Sequence, residues 1–167
     1  MNKFLSLFIT IILAFSGASP VFGESDTVEQ INFFCEDNGG VLSTIAKNVN
    51  GEVQPLFHWK TEAFDSDTDL SQLCTDTTKR LNEYFLQNSD SDLFRLIPSQ
   101  LLGLPAICIT KNFSSCDFLL SMFYVPVDSP VNKTYQILNV IVDNKFRDSW
   151  TDYERDAGLV LPIELFK

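Results

Sequence analysis

The sequence predicts an α+β fold: an antiparallel sheet of about six strands with two helices packed on one face, in the order β-β-β-α-β-β-β-α, held by two disulfides. Three observations predict it. Short alternating or β-branched segments come in two groups of three, and each group is followed by a helical period. Turn signals at Gly39-Gly40, Asn50-Gly51 and Gly103 fall between the segments. Four cysteines, Cys35, Cys74, Cys108 and Cys116, follow an N-terminus with the layout of a secretory leader.

The leader comes first. Lys3 is the sole charge before Glu24, the run from Phe4 to Phe15 is apolar except for Ser6 and Thr10, and Val21-Phe22-Gly23 fits a small-residue cleavage site. That run is short of the roughly 17–25 residues a spanning helix needs. Residues 1–23 are therefore expected to be a signal peptide, residues 24–143 a disulfide-stapled α+β domain, and residues 144–167 a C-terminal tail. No cysteine follows the apolar run before Cys35, which argues against a lipid-modified N-terminus.

In Gln30–Glu36 the residues Ile31, Phe33 and Cys35 share one face, so Cys35 should point inward. Val41–Val49 is β-branched at Val41, Thr44 and Ile45. Asn50-Gly51 is the strongest hairpin signal, with Val53–Trp59 as the returning strand. From Asp69, tolerant or apolar residues recur at Leu70, Leu73, Cys74, Thr77, Leu81, Tyr84 and Phe85, a helical stripe that should end near Gln87–Asn88. Leu96–Leu102 and Pro105–Thr110 read as strands around Gly103. Asp117–Val125 is the next strand. Ser129 and Pro130 then give an N-cap and a first-turn proline for a helix from Val131 to about Asp143. The tail is charged around Asp152–Asp156 and apolar from Gly158 to Phe166, and is expected to dock on the protein's own sheet.

With 22 acidic and 12 basic residues the net charge is −10. This balance and the lack of a basic stripe exclude nucleic acid as a partner. It also repels anionic head groups, so peripheral membrane association would need a protein, a divalent cation or an apolar segment. An even cysteine count in an exported chain predicts disulfides. Zinc would prefer C-x₂₋₄-C pairs, which do not occur. Cys35 lies on the inner face of the first strand and Cys74 on the apolar face of the first helical turn, which favours their pairing. Cys108 with Cys116 would then close a hairpin tip.

The stretch DSDTDLSQLCTD (residues 65–76) has acids at its first, third, fifth and twelfth places. A calcium loop of the EF-hand type needs Gly at the sixth and Glu at the twelfth. Leu70 and Asp76 stand there instead. The stretch reads as a helix start in which Asp69 caps and Gln72 follows three places on. Non-EF-hand cation binding at Asp65, Asp67 and Asp69 is the remaining metal reading.

Several segments together resemble the circadian oscillating protein family of cyanobacteria. They are Phe34-Cys35, STIA around Thr44, LFHWKTEAF with Trp59 and Phe64, and LCTDTTKRL with Cys74 and Arg80. LGLPAIC with Gly103, Pro105 and Cys108, Cys116 followed by DFLLSMF, and QILNVIV complete the set. The resemblance spans about Phe33 to Asp143. Leu73 stands where the family usually has Arg, and Leu81 where it usually has Phe. The resemblance implies a cyanobacterial source, export, two disulfides and clock-linked expression. It carries no catalytic residue.

His58 is the single histidine, so any Ser–His–Asp or Cys–His mechanism must pass through it. It is expected to face away from Phe57 and Trp59, toward solvent. Phe57, Trp59 and Phe64 are expected in the core. There is no Gly-rich phosphate loop and no Ser-x-x-Lys. The expected function is a non-enzymatic module in the periplasm, thylakoid lumen or medium, binding a protein or envelope component, with no cofactor. Two alternatives are a weak divalent-cation binder and an envelope hydrolase using a carboxylate pair.

Overall fold

The computed structural model describes residues 31–88, 93–111, 115–125, 127–153 and 158–166. The signal-peptide expectation for residues 1–23 lies outside the described residues.

Strands β1 (Asn32–Asn38), β2 (Val41–Lys47) and β3 (Val53–Trp59) form an antiparallel meander. Gly39 and Gly40 take positive φ of 68° and 90°, which the tight β1–β2 turn requires. The β2–β3 loop is not a two-residue turn at Asn50-Gly51. It runs over residues 48–52, and the Asn48 side-chain oxygen accepts from the amides of Asn50 and Glu52, both at 3.0 Å. A bulge between Thr44 and Ile45 shifts the register against β3. Phe33, Ala46, Phe57 and Trp59 are buried, while Phe34, in the alternate phase of β1, is exposed.

Helix α1 (Leu70–Gln87) buries Cys74, Thr77, Thr78, Leu81, Tyr84 and Phe85, close to the stripe that the periodicity predicts. Asp69 is its N-cap, accepting from the Gln72 amide at 3.0 Å. Against this helix Thr44 Oγ1 sits in a buried polar cluster. It accepts the Trp59 indole N–H at 2.9 Å and lies 3.4 Å from Thr78 Oγ1.

The second sheet contains β4 (Leu93–Leu101), β5 (Leu104–Thr110), β6 (Phe118–Met122), β7 (Thr151–Tyr153) and β8 (Gly158–Glu164), in the order β6-β5-β4-β8-β7. Helix α2 (Pro130–Ile141) packs on β4 and β5 and is followed by the short α3 (Asn144–Arg147). Ser129 precedes α2, but its side chain makes no capping bond. Pro130 supplies the fixed first turn.

The α+β class holds, with eight strands among the described residues divided between two antiparallel sheets where one sheet of about six was expected. Periodicity reports which face a strand buries, not which strand it pairs with. The outer edge of β3 is occupied instead by the chain leaving α2, through the Phe57–Val142 bridge and Asp143 N–H to Leu56 O at 2.9 Å. The tail segment is a working part of the second sheet. β8 sits between β4 and β7, and Val160, Leu161, Ile163 and Leu165 are buried. One apolar cluster runs through both sheets and both long helices, from Phe33 and Trp59 to Leu138 and Leu165. Each such large side chain contributes about 1.5–3 kcal/mol by leaving water.

Both expected disulfides are formed. Cys35–Cys74 joins β1 to α1, and Cys108–Cys116 closes the loop from β5 toward β6. No described helix is long and apolar enough to cross a membrane.

Candidate functional site

An unpaired strand edge in water templates unwanted pairing, so folds usually cover their edges. Two are covered here. Asn82 of α1 mimics a neighbouring strand for β1: its Oδ1 accepts the Phe33 N–H and its Nδ2 donates to Phe33 O, both at 2.9 Å. The 142–143 segment covers β3. At β6 the cover is partial. Arg80 Nη1 donates to Leu119 O at 3.0 Å, and beyond that point a groove of about 580 Å³ opens between β6 and the first half of α1. Phe64 and Phe123, whose rings lie 5.5 Å apart, belong to its lining, and Phe118, next to the lining residue Leu119, meets the ring of Tyr84 at 5.5 Å. Burial pushes the Tyr84 hydroxyl pKa up, and the charge of Asp117 adds to that against the opposing pull of Arg95.

The groove has an apolar floor and an acidic rim. Leu73, Leu119 and Leu120 line it, with Met122, Tyr124 and Val125 on the strand side. Asp65, Asp67, Asp69 and Asp76 also line it. The three acids singled out from the sequence therefore lie together at one feature. They do not form a cation cage: among the described residues no three His, Cys, Asp or Glu side chains gather around a common point. Asp69 is engaged as the helix cap and Asp67 accepts from Ser66 Oγ at 3.1 Å. All four carboxylates are exposed, whereas the proton-donating acid of a glycosidase sits in an apolar pocket.

A second constellation stands on the outer face of the first sheet. His58 faces away from Phe57 and Trp59, as alternation predicts, but it is not free in solvent. Its Nδ1 lies 3.0 Å from Ser43 Oγ and its Nε2 lies 2.8 Å from Asp143 Oδ2. Burial alone would raise the Asp143 pKa. Hydrogen bonds from His58 and the Lys145 amide, with the charges of His58 and Arg147, outweigh it and hold the carboxyl below its usual range. The Ser–His–Asp order suggests acyl transfer, yet the surroundings do not suit it. Ser43 is 3% exposed and lies in the central strand, in register with Glu36 on one side and His58 on the other. Its strand is paired with β1 on one side and β3 on the other, so the amides around it are committed to the ladder and provide no oxyanion hole. The chain Ser43–His58–Asp143 is a tie between β2, β3 and the start of α3.

Of the groove only the acids Asp65, Asp67 and Asp69 stood out in the sequence, and the tie did not. Alternation placed His58 on its face, but nothing local brings Asp143, 85 positions away, to it.

Residues 32–159 match the family model described as Circadian oscillating protein COP23. The chain belongs to this family. The match runs past Asp143, where the sequence resemblance ended, and takes in α3, β7 and the start of β8. It includes all four cysteines, both walls of the groove and the Ser43–His58–Asp143 tie, so each is embedded in the family domain. Neither the curated proteins nor the solved structures contain a match to this chain. The two disulfides mark an oxidising, extracytoplasmic environment.

Proposed function

We propose that this member of the family is a non-enzymatic interaction module outside the cytoplasm, in the periplasm, thylakoid lumen or medium, that holds a protein or envelope component in the groove between α1 and β6. The carrying observation is the groove itself: about 580 Å³, apolar below, with four exposed carboxylates at its rim. That volume lies in the range of ordinary binding clefts. Export rests on the leader-like order of residues 1–23, and the cyanobacterial setting on the sequence resemblance. The buried, ladder-bound Ser43 supports a binding role over acyl transfer.

The test compares capture from envelope extracts by the oxidised chain and by its Asp67→Lys/Asp76→Lys variant, with calcium or chelator, read by mass spectrometry. The reading requires a species held by the wild type, lost by the variant and kept under chelation. Turnover of a glycan, peptide or ester by the purified chain overturns it.

A second reading, weak divalent-cation binding, draws on Asp65, Asp67 and Asp69 lining one groove. Calorimetry with calcium decides it: no heat at millimolar metal removes the idea.

A further inference from the structure

We propose that the occupant of the groove is an extended, basic segment of a partner protein, which adds as a new strand to the outer edge of β6. The inference rests on the interaction reading above and deepens it.

The backbone makes the first half of the case. β6 is the outermost strand beside β5. Phe123 N–H donates inward to Pro105 O at 2.8 Å, and Ala106 stands opposite Met122. Alternation therefore turns the amides of Met122 and Tyr124 outward. Among the described residues neither meets a partner. The β1 edge is held at Phe33 by Asn82 and the β3 edge by Val142 and Asp143, whereas β6 past Leu119 meets no such cover among the described residues. An extended peptide laid there would gain main-chain bonds, with alternate side chains dropping onto Leu73 and Leu120.

Charge makes the second half. Asp65, Asp67, Asp69 and Asp76 face the groove, and among the described residues none of them has an ion-pair partner. Arg80 is the one cation of the lining, and it is held on the Leu119 carbonyl. An acidic rim rejects a second copy of this acidic chain and an anionic membrane alike, since like charges would be brought together. It selects Lys and Arg at the outward places of an added strand. The wall that carries Asp69 and Asp76 is anchored, because the Cys35–Cys74 disulfide and Asn82 fix α1 to β1. A preset groove lowers the ordering cost of binding.

The test uses the full oxidised chain and four synthetic hexapeptides: Lys alternating with Val, the same peptide N-methylated at alternate amides, Glu alternating with Val, and hexalysine. Binding is read by calorimetry, and amide hydrogen exchange reports on Met122 and Tyr124. The Lys/Val peptide should bind and slow exchange at those two amides. N-methylation should weaken it about tenfold, since two lost main-chain bonds at about 1 kcal/mol each exceed the 1.4 kcal/mol of a tenfold change. Asp67→Asn/Asp76→Asn should weaken it severalfold, and Arg80→Ala, which removes the competing cation and frees Leu119 O, should strengthen it. Equal binding of the N-methylated peptide or of hexalysine would reduce the contact to unspecific charge and overturn strand addition. Preference for the Glu/Val peptide, binding to none, or retention on anionic vesicles in place of peptide overturns it as well. If the peptides fail while envelope capture still depends on Asp67 and Asp76, strand addition falls and the interaction module stands.

Discussion

His58 Nε2 and Asp143 Oδ2 lie 2.8 Å apart, although 85 positions separate them in the chain. The contact joins β3 to the segment that leads into α3, and it coincides with the backbone bridge that covers the β3 edge.

The Asp143 carboxyl is held below its usual range in the folded protein. A carboxyl with a depressed folded pKa gives stability that is complete above its unfolded pKa, near 4, and lost as pH falls through the lower folded value. Urea midpoints should therefore drop as pH falls below about 4, partly through Asp143. Asp143→Asn keeps an acceptor for the Lys145 amide, so α3 retains its cap. In that variant the acid-side slope should be shallower than in the wild type. Equal slopes would remove Asp143 from the account. His58→Ala should cost about 1 kcal/mol at neutral pH, a modest figure because the pair is partly exposed.

Trp59 donates its indole N–H to Thr44 Oγ1 at 2.9 Å in a site where both residues are buried. Thr44→Val keeps the shape and removes the acceptor, which strands a buried donor. The expected loss is about 1–3 kcal/mol in urea denaturation followed by tryptophan fluorescence. Thr44→Ser should recover much of it. A Val variant as stable as the wild type would show that the indole finds another acceptor.

Helix starts, the β1–β2 turn, the inner faces of β1 and β3 and the disulfide pairs were legible because each rests on a local rule. Asp69 caps over three residues, and Cys35 and Cys74 lie on faces set by periods of 2 and 3.6. Sheet partnership is not local. β8 inserts between β4 and β7, and nothing in Gly158–Glu164 names β4 as its neighbour. The groove was half legible. Asp65, Asp67 and Asp69 stood out as a group, but the strand they face comes more than 40 positions later. The Ser43–His58–Asp143 tie depends on that same long-range closure.

The two disulfides should differ in worth. Cys35–Cys74 spans 39 positions and Cys108–Cys116 spans 8. Chain-entropy reasoning gives about 4 kcal/mol for the first and about 2–3 kcal/mol for the second. Paired Cys→Ala variants should follow that order in guanidinium midpoints. The Cys35→Ala/Cys74→Ala pair should also speed hydrogen exchange at the first turns of α1, because it releases the groove wall. The reverse order would mean that the hairpin loop carries more native packing than its length suggests.

At the β4–β5 hairpin, Leu101 pairs with Leu104, so Leu102 and Gly103 form the turn, with φ of 54° and 78°. Positive φ at both places is the requirement of a type I′ turn, which Asn-Gly meets most easily. Leucine there crowds its Cβ against the backbone at a cost of about 1–2 kcal/mol. Leu102 is 89% exposed, so it regains little by burial. Leu102→Asn should therefore stabilise the protein by about 0.5–1 kcal/mol, a rise of roughly 2–4 °C in Tm. A lower Tm would show that the exposed leucine makes contacts worth more than the strain. Backbone strain retained at an exposed apolar tip is a pattern found where a surface meets a partner. A stabilised variant that also lost envelope capture would place Leu102 in that contact, whereas a stabilised variant with full capture would leave it a turn residue of poor fit.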